Sequence, residues 1–153
     1  MKELDRLDRK ILRALQKEGR LSNTELAEQV HLSPTATAER VKRLTRDGYI
    51  IGYMAILSPE KLGRSLLVFV QVKLDRTTPD VFDSFSDAVK RSDDVIECHM
   101  VAGGFDYLVK ARVAGMEAYR QFLSEVILPL PGVRETHTYA VMEEVKGTTF
   151  LPV

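Results

Sequence analysis

The feature that most constrains this chain is a tight junction between two short predicted helices near its N-terminal end. Ser22 and Glu25 have the spacing of a capping box, which starts a helix. That helix must be short, because Ser33 and Pro34 form a typical N-cap and first position of the next helix. A supporting helix precedes both and stops at Gly19. This order predicts a helix-turn-helix.

The third predicted helix runs to about Arg46 and ends at Gly48. Its wheel places Ala38, Val41 and Leu44 inward, and the opposite side combines small residues with cations. Small side chains let a helix end approach base edges, while arginine and lysine reach guanine or phosphates. We therefore predict that this helix enters the DNA major groove, against the alternative of a solvated charged face. The predicted DNA-contacting residues are Ser33, Thr35, Ala36, Glu39, Arg40, Lys42, Arg43 and Arg46, with Lys42 and Arg46 on phosphates.

The charge of the chain supports a DNA-facing first half. The net charge is zero, but residues 1–64 hold 13 lysines and arginines against 9 acids, and the remainder holds 9 against 13. A single cysteine and three histidines cannot supply a zinc finger or an internal disulfide. The longest apolar run, residues 66–70, is far short of a membrane span, and no secretory signal is visible. We expect a cytoplasmic protein with no membrane association.

Residues 49–57 are rich in β-forming side chains and are predicted to form either a strand pair, which would be the wing of a winged helix-turn-helix, or an extended linker strand. The turn residues at 58–63 mark the best domain boundary. We place the DNA-binding domain with its linker strand at residues 1–62. The second domain is predicted at residues 63–153.

The second half alternates strands and helices. We predict strands at 65–74, 95–102, 107–113 and 133–145, with helices from about Thr78 and over 116–127. The order βαββαβ indicates a ferredoxin-like α+β domain, with both helices on one face of an antiparallel sheet. Leu67 and Phe69 would face away from the helices, which favours a second chain covering the other face.

Several stretches spread along the chain resemble the leucine-responsive/asparagine regulator (Lrp/AsnC) family of prokaryotic transcription factors, most of all its global leucine-responsive branch. They are residues 4–12, Leu32-Ser33-Pro34-Thr35, residues 39–44, Gly48-Tyr49-Ile50, Gly104-Phe105-Asp106-Tyr107 and Leu130-Pro131-Gly132-Val133. The resemblance implies a winged helix-turn-helix followed by an amino-acid-sensing domain, in dimers that often assemble into octamers. Residues 36–38 depart from that branch at the start of the recognition helix, which affects the expected operator sequence.

The resemblance also implies an effector site between sensor domains of adjacent dimers. Backbone amides at Gly103 and Gly104 suit a carboxylate, and Asp106 suits an ammonium group. A plain glycine hairpin and a turn-stabilising aspartate are the structural alternatives. The predicted effector-binding residues are Met100, Gly103, Gly104, Asp106, Met116, Thr136, Thr138, Tyr139 and Val141.

We hypothesise a sequence-specific transcriptional regulator of amino-acid metabolism genes that responds to a free amino acid: leucine, alanine, proline or a branched-chain amino acid. Its expected partners are double-stranded DNA and further copies of itself, with no cofactor and no metal. No catalytic triad, acid–base carboxylate pair or phosphate loop is visible, so we predict that it is not an enzyme. The alternatives are a ligand-independent architectural protein that compacts DNA and a ferredoxin-like enzyme with a DNA-binding domain attached.

Overall fold

A computed structural model of the chain describes residues 3–153. The chain divides into two compact units, of which the first contains the residues up to Ile56 together with Gly147–Val153. The second unit is Leu57–Lys146. The boundary predicted after residue 62 therefore lies inside the second unit. The last seven residues, expected in the sensor domain, pack instead with the first unit.

The first unit is built on three helices: α1 (Arg6–Lys17), α2 (Asn23–Val30) and α3 (Pro34–Arg46). The predicted capping box at α2 is formed, since the Ser22 amide donates to Glu25 at 2.7 Å and the Glu25 amide donates to Ser22 Oγ at 3.2 Å. The buried core of the unit consists of Ile11, Leu12, Leu26, Val30 and Leu44. The helix-turn-helix predicted from the caps is present.

The segment that follows α3 shows which of its two predicted alternatives is absent. Residues 50–57 have no assigned strand, so the strand pair considered for this segment is not formed. The side chains of Ile51, Met54 and Ile56 are 96%, 84% and 85% exposed. A run of β-forming residues needs a partner strand to complete its backbone hydrogen bonds. Within residues 3–153 the segment has no such partner.

The second unit is a four-stranded antiparallel sheet with two helical elements. They are, in chain order, β1 (Leu66–Leu74), α4 (Pro79–Lys90), β2 (Glu97–Met100), β3 (Tyr107–Val113), α5 (Met116–Phe122) and β4 (Val133–Ala140). The sheet order is β2-β3-β1-β4. The predicted βαββαβ order is confirmed.

One face of the sheet is the core of this unit. Val68, Val70 and Val72 alternate along β1 with no exposed surface, and Phe85 of α4 is equally buried against them. The opposite face carries Phe69 and the other odd-numbered residues of β1, which pair with the odd-numbered residues of β4, such as Tyr139 and His137. Because successive residues of a strand face opposite sides of the sheet, predicted effector residues on β4 can lie together only if they share a side.

Two elements of this unit differ in length from their predictions. The helix expected over 116–127 is α-helical to Phe122 and continues as a π-helical turn, Leu123–Ile127. The last strand ends at Ala140 and not at residue 145.

None of the helices in residues 3–153 combines the length and apolar character that crossing a bilayer requires. Those same residues contain no group of three or more histidine, cysteine or acidic side chains placed to hold a metal ion.

Candidate nucleic-acid interface and effector site

The start of α3 is fixed by a local hydrogen-bond network. Ser33 Oγ accepts the Ala36 amide at 3.2 Å, and Pro34 occupies the first turn, where no amide donor is needed. Thr37 is fully buried and its hydroxyl donates to the Ser33 carbonyl at 3.0 Å. Leu44, near the other end, is buried in the core. The helix is therefore anchored on its inner side, as the wheel predicts.

The outer side of α3 carries most of the predicted DNA-contacting residues. Ser33, Thr35, Ala36, Glu39, Lys42 and Arg46 are all exposed. Arg46 pairs with the neighbouring Asp47 at 3.0 Å, with most of the arginine side chain in solvent. An open groove of about 450 Å³ runs along this side. It is lined by Glu39, Arg40, Lys42, Arg43 and Arg46.

Arg40 and Arg43 make contacts that the sequence analysis did not anticipate. Arg40 Nη1 lies 2.6 Å from Asp5 Oδ2 and 2.8 Å from Asp8 Oδ1. Arg43 Nη2 also pairs with Asp8 Oδ1. Both arginine side chains are about a quarter exposed, while Asp8 is 1% exposed. The two arginines therefore connect α3 to the start of α1. Their contacts with DNA remain a prediction.

The two acids are themselves held by a capping box at α1. The Asp8 amide donates to Asp5 Oδ1 at 2.8 Å, and the Asp5 amide donates to Asp8 Oδ2 at 3.2 Å. The Asp8 amide, followed by the Arg40 guanidinium, lowers the pKa of Asp5 below its usual value. The hydrogen bonds that Arg40 donates to Asp5 and Asp8 raise the pKa of Arg40 in turn.

One signal for Asp8 was available in the sequence. Asp8 lies three and four positions before Ile11 and Leu12, on the apolar face of α1. A carboxylate is almost never buried unless it is paired, so an acid at such a position requires a cationic partner from another element. The sequence shows that a partner is needed but does not show that α3 supplies it.

The loop between β2 and β3 carries the predicted anion-binding glycines. Gly103 and Gly104 are exposed, and neither has a positive φ. A Cβ atom added to either glycine would meet nothing within 4 Å. Neither the backbone conformation nor crowding within the chain therefore requires glycine at these two positions.

Asp106 is partly engaged within its own chain. Its Oδ2 accepts the Leu74 amide at 2.7 Å, and its amide donates to the Val72 carbonyl at 3.0 Å. Both contacts are made with β1 and not within the turn that contains Asp106, so they differ from the turn-stabilising alternative. The second carboxylate oxygen accepts no hydrogen bond from residues 3–153.

The remaining predicted effector residues separate onto two sides of the sheet. Met100 and Met116 are each 58% exposed, and Thr138 Oγ1 contacts the Tyr119 hydroxyl of α5, on the helix-covered side. Thr136 shares that side, because it is two positions away on β4. Tyr139 is on the opposite face, paired in register with Phe69. Val141 follows β4, with its amide bonded to the Leu67 carbonyl at 2.9 Å.

A small cavity on the opposite face includes residues that the sequence analysis did not select. Its volume is about 140 Å³. The lining residues are Gln71, Lys73, Gly104, Phe105, Glu135 and His137. Lys73 and Glu135 face each other across β1 and β4 without an ion pair between them. Their register could not be read from the sequence, because the local pattern of a strand does not specify which residue of another strand it pairs with.

Two family models match the chain, and together they cover most of it. The model described as winged helix-turn-helix DNA-binding matches residues 4–51, and the model described as Lrp/AsnC ligand binding domain matches residues 67–151. The chain belongs to the Lrp/AsnC family. It is a ligand-modulated, DNA-binding transcription regulator, and the predictions of the family and of both domain types are confirmed.

Curated relatives and solved structures agree with this membership. The leucine-responsive regulatory proteins of Klebsiella pneumoniae and Escherichia coli K12 are 55% identical over 99% of this chain and 93% of their own length. The crystal structure of a transcriptional regulator–L-Met complex from Neisseria meningitidis has a TM-score of 0.93 at 37% identity, covering 98% of this chain and 97% of that one. The structure of Escherichia coli AsnC has a TM-score of 0.88 at 26% identity, covering 99% of this chain and 100% of that one. These Lrp/AsnC relatives are regulators, and the prediction that the chain is not an enzyme is confirmed.

Proposed function

We propose that this regulator binds specific DNA sites near amino-acid metabolism genes and that a free amino acid changes its affinity or assembly. The observation that carries the DNA part is the exposed face of α3, where small residues at the capped end precede Lys42 and Arg46. The protein is cytoplasmic and so has access to the chromosome. The exposed face of α3 enters the major groove of the DNA. Arg40 and Arg43 line the same groove, and their remaining N–H groups reach bases or phosphates.

The DNA part is tested by the salt dependence of binding. Each lysine or arginine that neutralises a phosphate adds about 0.9 to the slope of log affinity against log salt. We expect Lys42→Ala and Arg46→Ala each to reduce the slope by about 1, measured by fluorescence anisotropy. Lys90→Ala is the matched control, because Lys90 is an exposed cation at the end of α4. An affinity that does not change with salt would contradict the proposal.

The amino-acid part is supported by the free oxygen of Asp106 and by the two glycines beside it. Because nothing within the chain requires glycine at 103 and 104, the absence of side chains there leaves the backbone amides open to an external carboxylate. Two relatives agree in chemistry: one is named leucine-responsive, and another was solved with L-Met. Leucine is the first effector to test, followed by the other amino acids.

The effector site is tested with two substitutions of one residue. Asp106→Asn keeps an oxygen that can accept the Leu74 amide but removes the charge that would pair with an ammonium group. We expect it to weaken amino-acid binding at least tenfold in calorimetry, since a hydrogen bond to a charged group contributes about 1.5–3 kcal/mol. DNA affinity without the amino acid should not change. Asp106→Ala should lose the response and also some thermal stability. An unchanged response in both variants would remove Asp106 from the site.

Assembly is the third part of the proposal. We infer that the regulator is at least a dimer and forms octamers, because Ile51, Met54 and Ile56 expose apolar surface next to unpaired backbone. Light scattering should give a mass that is a multiple of 17.3 kDa, and titration with amino acids should shift it. An amino-acid effector can change DNA affinity only if it binds two assembly states with different affinities. The coupling free energy between effector binding and DNA binding is typically about 1–3 kcal/mol. DNA compaction with no response to any amino acid would favour the architectural alternative.

A further inference from the structure

The buried carboxylate of Asp8 is the one acid that contacts two recognition-helix arginines in the described part of the chain. Its Oδ1 accepts from Arg40 and Arg43, and its Oδ2 accepts the Asp5 amide of the capping box. The carboxylate is therefore satisfied on both oxygens. The capping box at the start of α1 holds the carboxylate in place, so the Asp8 side chain has little freedom to move.

The bonds to Asp5 and Asp8 use only part of each guanidinium. Arg40 donates through Nη1 to both acids, and Arg43 donates through Nη2 to Asp8. A guanidinium has five N–H donors in a rigid planar fork, so fixing one corner fixes the direction of the others. The two side chains are about a quarter exposed, and the surface they retain lines the groove along α3.

We propose that Asp8, assisted by Asp5, is a positioning residue of the DNA interface: it orients Arg40 and Arg43 so that their free N–H groups read bases and do not move to phosphates. This inference rests on the proposed DNA-binding function. Each arginine held by a carboxylate contributes less net charge toward the DNA backbone, and a fixed fork favours one base geometry. Asp8 therefore increases sequence discrimination and limits non-specific attraction.

A purely structural ion pair between α1 and α3 predicts a different result. Loss of such a pair lowers thermal stability, and it lowers affinity for all DNA sequences equally through the folded fraction. Loss of a positioning residue changes the ratio of specific to non-specific affinity and the salt slope. These two quantities separate the roles, provided that they are measured on folded protein.

The experiment compares Asp8→Asn, Asp5→Asn and the control Glu28→Gln in the full chain. Asparagine at position 5 is as good an N-cap as aspartate, so Asp5→Asn keeps α1 while weakening the ion pair with Arg40. Glu28 is an exposed acid on α2, and its substitution changes the net charge by the same amount. The probes are the duplex that the wild-type protein enriches from a random pool and a scrambled duplex of the same composition, titrated at several KCl concentrations.

For Asp8→Asn we expect the affinity ratio of enriched to scrambled duplex to fall about tenfold or more. We expect the salt slope on the scrambled duplex to steepen by about 1 to 2, because two released arginines can reach phosphates. Asp5→Asn should change both quantities in the same direction by a smaller amount, and Glu28→Gln should change neither.

Circular dichroism and stoichiometric titration give the folded, active fraction of each variant. If Asp8→Asn does not fold, Asp5→Asn decides the question alone. An unchanged ratio and slope in the folded variants would overturn the inference while leaving the proposed function intact. A wild-type protein that enriches no sequence would overturn the proposed function itself, and the inference with it.

Discussion

Asp8 shows how one residue links the stability of the DNA-binding unit to its chemistry. A buried carboxylate is strongly destabilising when it is unpaired, so Arg40 and Arg43 must remain near it for the unit to fold. The wheel of α3 predicts Arg43 on the exposed side and Arg40 beside it, but both side chains are only about a quarter exposed. It could not reveal that α1 lies beside one edge, because a wheel describes one helix alone.

Asp5 gives the DNA-binding unit a measurable acid sensitivity. Its pKa is lowered in the folded protein from an ordinary value of 3.8, chiefly by the Asp8 amide and then by Arg40. A lowered pKa means that the ionised carboxylate stabilises the fold above about pH 4, and that this contribution is lost as the pH falls through the folded-state pKa. We expect the thermal midpoint to fall as the pH is lowered from about 5 to well below 3.8.

The variant Asp5→Asn isolates this contribution. It should show a smaller loss of thermal midpoint over the same pH range, because it has no carboxylate at position 5 to protonate. Glu28→Gln serves as the control. Equal pH dependence in the wild type and in Asp5→Asn would contradict the assignment.

At the scale of elements, the caps were the most predictable part of the fold. Ser22, Glu25 and Ser33 act through bonds to residues three positions away, so their pattern is complete in the local sequence. For residues 49–57 the local sequence left open a strand pair or an extended linker strand, and it could not decide between them for the opposite reason. A strand depends on a partner strand that the local sequence does not contain. β propensity shows only that a segment is compatible with pairing, not that a partner is present.

Gly132 fixes the turn into β4 and is a sensitive position. Its φ is +74°, and a Cβ atom there would lie 2.5 Å from Val81 Cγ1 of α4. Gly132→Ala combines a left-handed backbone penalty with overpacking, so we expect a loss of about 3 kcal/mol in the free energy of unfolding. Gly52→Ala is the control, because its Cβ would meet nothing within 4 Å. Urea denaturation of the two variants checks this, and equal midpoints would contradict it.

At the scale of the whole molecule, the charge split predicted a basic DNA-facing half and an acidic half, and the two matched family domains follow that order. The return of Gly147–Val153 to the first unit was not predictable. Gln16 of α1 donates to the Leu151 carbonyl at 2.9 Å and accepts the Leu151 amide at 2.6 Å. Contacts between residues so far apart in the chain leave no periodic signal in the sequence.

The contact with Gln16 predicts that the C-terminal residues stabilise the DNA-binding unit. Gln16→Ala removes both hydrogen bonds to Leu151, and exposed bonds of this kind contribute about 0.5–1.5 kcal/mol each. We expect a loss of about 1–2 kcal/mol in urea denaturation. Gln29→Ala, an exposed glutamine on α2, is the matched control. A chain that lacks residues 147–153 should lose at least as much, since Val153 also packs against the core of the first unit.

Because the backbone leaves the first unit at Ile56 and re-enters it at Gly147, the second unit is an insertion within the first. A protease that nicks residues 51–57 once would therefore leave the larger fragment still bound to α1 through its final residues. A peptide ending near residue 62 would contain α1, α2 and α3. It would lack Leu151 and Val153, so the surface of the first unit that these two residues contact would be exposed to solvent. Any measurement of DNA affinity on such a peptide describes a domain missing part of its own packing.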